Sequence, residues 1–114
     1  MEKITSVFKA LSDSNRLRIL KMLQVKPLCA CEIKEILGLA SSTVSQHLSI
    51  LKKEDFITEE KEGKFINFKI NPHPQNVQVA SLLSIMNLIG SDEQIAKKDK
   101  SAAKKVNRFE IVNK

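Results

Sequence analysis

The sequence predicts a mainly helical domain of about five helices carrying one small β-hairpin. Three observations predict it. Apolar residues recur at helical spacing in several short segments, and one late stretch alternates as two strands instead. All three glycines of the 114 residues, Gly38, Gly63 and Gly90, stand at the edges of these segments.

The elements follow in order. Ile4, Val7, Phe8 and Leu11 form one apolar stripe of a first helix. Ser12 or Asp13 caps a second, because either side chain can accept from free N–H groups of the first turn. This helix carries Arg16-Leu17-Arg18-Ile19-Leu20 to about Gln24, and Pro27 stops it. A third, from Leu28 or Cys29 to Leu37, buries Ile33, Ile36 and Leu37 and ends at Gly38. Ser41 or Ser42 caps a fourth helix with Val44, Leu48 and Leu51 inward. Strands Phe56–Glu60 and Phe65–Ile70 flank Lys61-Glu62-Gly63-Lys64 as a hairpin. Pro72 and Pro74 precede a fifth helix, Asn76 to Ile89, which is apolar on most of its surface and should be buried against something. A second copy of the chain, joined through the first and fifth helices, is the expected cover.

Residues 1–90 thus form one folded unit, and 91–114 change character. Seven Lys or Arg and four acids lie there among Ser, Ala and Asn, which predicts a basic, solvated and flexible tail. The first eleven residues carry Glu2, Lys3 and Lys9, unlike a secretory signal, and no apolar run is long enough to span a bilayer. A cytoplasmic protein with no membrane association is expected. Net charge is +6, which suits a polyanionic partner. With five Phe and neither Trp nor Tyr, the chain lacks the aromatic platforms on which single-stranded bases stack. Nothing resembles a catalytic set: no base stands ready for a cysteine nucleophile, and no phosphate loop or carboxylate pair stands out.

Helix, Gly-Leu turn, helix and hairpin spell a winged helix-turn-helix, a reader of double-stranded DNA. The outward face of the fourth helix offers Thr43, Gln46 and His47, with Ser45 beside them, as short polar groups that reach base edges. Ser41 and Ser42 at its N-terminus suit phosphate, and Lys61 and Lys64 stand at the wing tip. The plainer reading makes the serines caps and His47 a structural hydrogen-bonder.

The two cysteines, Cys29 and Cys31, fall one residue apart at the start of the helix that precedes this reader. At that spacing they make a poor structural disulfide, and both thiols are expected reduced. On an ideal helix they point about 200° apart. An ion held by both would then have to distort the helix start and shift the DNA-reading geometry. Cys29, on the apolar side, also suits a plain core position.

Phe8-Lys9-Ala10-Leu11-Ser12-Asp13, Arg16-Leu17-Arg18-Ile19-Leu20, Ser42-Thr43-Val44-Ser45-Gln46-His47-Leu48-Ser49-Ile50-Leu51-Lys52 and Lys61-Glu62-Gly63-Lys64 together resemble the ArsR/SmtB repressors over residues 4–90. The resemblance implies a homodimeric winged-helix repressor, with no required cofactor, that leaves its operator when an inducer binds. Leu28-Cys29-Ala30-Cys31-Glu32-Ile33 is similar to the arsenite and antimonite sensors, implying As(III) or Sb(III) as inducer at Cys29 and Cys31. That pattern has a third cysteine where this chain has Lys34. The family's cadmium and lead sensors add thiols from an N-terminal arm, and residues 1–28 contain none. Other soft metals and thiol oxidation or persulfide formation remain alternatives at the same cysteines.

Overall fold

A computed structural model describes residues 1–112. Its elements are α1 (Glu2–Leu11), α2 (Ser14–Leu23), β1 (Leu28–Cys29), α3 (Ala30–Leu37), α4 (Ser41–Lys53), β2 (Ile57–Glu62), β3 (Phe65–Ile70), α5 (Val77–Ile85), α6 (Gln94–Lys105) and α7 (Arg108–Val112). The mainly helical winged helix-turn-helix is thus the observed fold.

The caps explain several boundaries. Asp13, rather than Ser12, starts α2, its Oδ1 accepting from the N–H groups of Asn15 at 2.8 Å and Arg16 at 3.1 Å. Gly38 ends α3 with φ of 71°, a left-handed conformation that a side chain disfavours. Neither expected serine caps α4; Ala40 holds that place without a side-chain hydrogen bond, so Ser41 and Ser42 lie inside the first turn. Asp55, at φ 74°, turns the chain from α4 into the wing. Its carboxylate accepts from Asn71, Gln75 and Asn76, which holds this unusual backbone in place and ties the wing base to the start of α5.

The sheet is antiparallel in the order β1-β3-β2. Leu28 pairs with Phe68 and Cys29 with Asn67, while Ile57↔Ile70 through Glu62↔Phe65 align the hairpin around a turn of Gly63 and Lys64. The first strand therefore runs two residues further than expected, and β1 takes Leu28 and Cys29 out of the helix the sequence suggested. The core gathers Ile19, Leu20 and Met22 of α2, Ile33 of α3, Val44, Leu48 and Leu51 of α4, and Phe56 and Ile57 at the wing base. Burying each such side chain stabilises the fold by about 1.5–3 kcal/mol.

Two expectations fail at the C-terminal end. The fifth helix stops at Ile85, not Ile89. Lys21 Nζ bonds the carbonyls of Met86 and Ile89, drawing them out of a continuing helical ladder. The tail, expected loose, forms α6 and α7 instead. Arg18 clamps Asp99 by two bonds of 2.7 and 3.1 Å, Ala103 is buried, and Lys26 reaches the Val106 carbonyl. Asp99 is only 3% exposed, and its carboxylate holds the Arg18 guanidinium above its ordinary pKa. Among the described residues no helix is long and apolar enough to cross a membrane.

Candidate nucleic-acid interface and thiol site

Val44, Leu48 and Leu51 anchor α4 on the core, and this fixes what the opposite side presents. Ser41, Ser42, Ser45 and Gln46 are exposed, and Thr43 is half-buried. The uncapped first turn leaves N–H groups and two serine hydroxyls at the positive end of the helix dipole, an arrangement suited to phosphate.

His47 leaves the outward face and takes the plainer of its two readings, a structural hydrogen-bonder. It is turned inward, 9% exposed, with Nδ1 3.1 Å from Arg16 Nη1. A guanidinium has only donors, so this nitrogen accepts. Arg16 also donates to the Ala10 carbonyl at 2.6 Å, so His47 helps lock α4 to α1 and α2 rather than sharing the face of Gln46. Arg16 was invisible as a partner because it lies 31 residues away in sequence. Asp13 sits in the same cluster. Burial pushes its carboxyl upward, but the bonds from Arg16 and Asn15 N–H, with the nearby Arg16 guanidinium, hold it below its ordinary value.

Lys61 and Lys64 are exposed at the wing tip, where the hairpin turn carries them. The wing's acids are engaged within the protein: Glu59 with Lys52 at 2.7 Å, Glu60 with Lys69 at 3.2 Å, and Glu62 with Asn67 at 2.5 Å. Lys64 also lies over the Phe65 ring, 5.6 Å from its centroid.

The largest correction concerns sulfur. Cys29 lies in β1 with extended backbone (φ −82°, ψ 165°) and is the N-cap of α3, not a residue within it. Cys31 is in the first turn. The two side chains converge and are paired as a disulfide, with Cα atoms 5.4 Å apart. The expectations of diverging, reduced thiols and of a helix that must unwind both fail, because β pairing with Asn67 turns Cys29 toward its neighbour.

Sequence reading also missed what surrounds the pair. Cys29 N–H donates to Glu32 Oε1 at 2.9 Å, and the same oxygen accepts from Arg108 Nη2 at 2.9 Å. Glu32, three residues after its cap, stands at the spacing of a capping box, so that half was legible. Arg108 gave no local signal. Its guanidinium lies 4.8 Å from the Phe65 ring centroid, and Phe109 meets the same ring edge-on at 5.7 Å. The start of α7 thus lies over the junction of α3 and the wing. No group of three or more His, Cys, Asp or Glu suited to a metal occurs among the described residues.

Comparison with known proteins bears on this arrangement. A family model described as bacterial regulatory protein, arsR family, matches residues 13–59, from the α2 cap to the first wing strand. The chain is 31% identical over 84 residues to the transcriptional repressor SdpR of Bacillus subtilis, spanning 74% of this chain and 93% of SdpR. It is 34% identical over 83 residues to the cadmium resistance transcriptional regulatory protein CadC of Listeria innocua, covering 72% of this chain and 66% of CadC. The arsenical resistance operon repressor of Staphylococcus aureus is 28% identical over 93 residues, covering 82% and 86%. Among solved structures, a homodimeric winged helix-turn-helix DNA-binding domain from Mycobacterium bovis aligns with a TM-score of 0.64 at 24% identity, covering 82% of each chain.

Proposed function

We propose that this chain, which belongs to the arsR family of bacterial regulatory proteins, is a repressor whose hold on operator DNA is broken when trivalent arsenic or antimony takes Cys29 and Cys31. SdpR and the Staphylococcus aureus relative are named as repressors, and a duplex is the partner that the exposed face of α4 fits. Gln46, Ser45 and Thr43 reach base edges. Ser41 and Ser42 hold phosphate, Lys61 and Lys64 follow the backbone from the wing, and His47 acts through Arg16 as a positioning residue.

The working unit is a cytoplasmic homodimer through α1 and the α5 region. Phe8 (55% exposed), Val77 (72%) and Leu88 (71%) are too apolar to face water together without cost. A two-fold dimer reads half-sites about one helical turn apart.

The observation that carries the inducer reading is the convergence of both sulfurs at the N-cap of α3. Cys29 belongs at once to the helix that leads into α4 and to the sheet that forms the wing. Two thiolates bound to one ion at bonds of roughly 2.3 Å must stand further apart than two bonded sulfurs. Ligation therefore moves a residue shared by both DNA-facing parts, and it favours release by its differential affinity for the two arrangements. A second reading, thiol oxidation or another soft metal at the same cysteines, draws support from the pairing of the sulfurs itself.

Fluorescence anisotropy of the complex with its own promoter region separates these readings, with arsenite, antimonite, cadmium, zinc and peroxide titrated in turn. Arsenite should release the wild type, while Cys29→Ser and Cys31→Ser keep DNA affinity and lose release. Release by peroxide or cadmium but not arsenite selects the second reading. An undiminished arsenite response in the double variant overturns the site.

A further inference from the structure

We propose, building on the inducer site above, that Asn67 Oδ1 receives the hydroxyl left on an arsenic or antimony centre held by Cys29 and Cys31. The chemistry leaves such a hydroxyl. A low-molecular-weight thiol first reduces the pair, taking its two electrons' worth of oxidation as its own disulfide. Arsenous acid, As(OH)3, then forms two As–S bonds and breaks two As–O bonds, and two waters depart with the thiol protons. One As–OH remains, in a chain where Lys34 stands three residues after Cys31 and supplies no third sulfur.

Asn67 is placed to meet it. It pairs directly with Cys29 across β1 and β3, so their side chains leave the sheet on one face with Cβ atoms about 4.5–5.5 Å apart. It is 8% exposed, and its Oδ1 is buried with no hydrogen-bond partner among the described residues. The amide cannot be reversed, because Nδ2 donates to Glu62 Oε2, a carboxylate oxygen that only accepts. Glu62 belongs to β2, on one side of the central strand, and β1 carries Cys29 on the other. A buried acceptor without a donor calls for an explanation, and a ligand hydroxyl supplies one. Thr58 Oγ1, also unpaired, lies on β2 with β3 between it and β1.

Calorimetric titration of the reduced protein with two probes tests the idea. Arsenite retains a hydroxyl after taking two sulfurs; phenylarsine oxide carries a phenyl carbon in that position. Asn67→Leu, of similar size, should lose about tenfold in arsenite affinity and nothing for phenylarsine oxide. Equal loss for both probes makes Asn67 merely structural, and no loss removes it from the site; either overturns the inference while leaving the thiol site standing. Failure of the wild type to bind either probe sinks the thiol site, and this inference with it.

Discussion

The helix-turn-helix of α3 and α4 and the C-terminal pair α6 and α7 are both helical and both docked, but opposite forces hold them. The first is fastened by aliphatic side chains: Ile33 and Leu51 are wholly buried, and Val44 and Leu48 nearly so. The second is fastened by charge. Asp99 is gripped by Arg18, Glu32 by Arg108, and of α6's own side chains only Ala103 joins the buried core. Aliphatic packing holds α4 at one angle largely without regard to pH or salt. Ion pairs are directional and respond to pH and partners, so the C-terminal pair should loosen under conditions that leave α3 and α4 in place.

The largest effect should come from the packed region. Leu51→Ala leaves a cavity beneath α4 and should cost about 2–5 kcal/mol, read as a lower urea midpoint with operator affinity lost in parallel. Asp99→Ala should cost less, about 1–3 kcal/mol, because Arg18 keeps 22% side-chain exposure and can turn to solvent. Its signature is local. Hydrogen exchange should accelerate in α6 and α7 well before α3 and α4 respond. Equal loss of protection in all four helices would break the comparison, making the charged and aliphatic regions one cooperative unit.

The same division decides what the sequence could disclose. The α4 face was legible because Val44, Leu48 and Leu51 announce it by spacing alone. The cap at Asp13 and the turn at Gly38 were legible for the same local reason. Asp99 and Arg108 were not, since their partners lie 81 and 76 residues away and a charged run looks like a solvated one. The thiol site was half legible. The cysteines and their neighbour Glu32 are adjacent in sequence, but the strand pairing that turns Cys29 toward Cys31 depends on Asn67, in a distant hairpin. His47 was misplaced by helical arithmetic that could not register the pull of Arg16.

The smallest effect sharpens the contrast from the local side. The Asp13 carboxyl is depressed in the folded chain, so it contributes stability that is present above its unfolded pKa and lost as pH falls through its folded value. Asp13→Asn keeps a good N-cap, because the amide oxygen still accepts from Asn15 and Arg16, but removes the charge beside the helix dipole and Arg16. At neutral pH the wild type should exceed the variant by no more than about 1 kcal/mol, since the site is largely solvated. Urea midpoints taken at pH 7 and again below the carboxylate range should converge as Asp13 protonates. A gap that persists in acid would show that Asn caps this helix poorly for reasons of geometry, and that charge is confined to the C-terminal region after all.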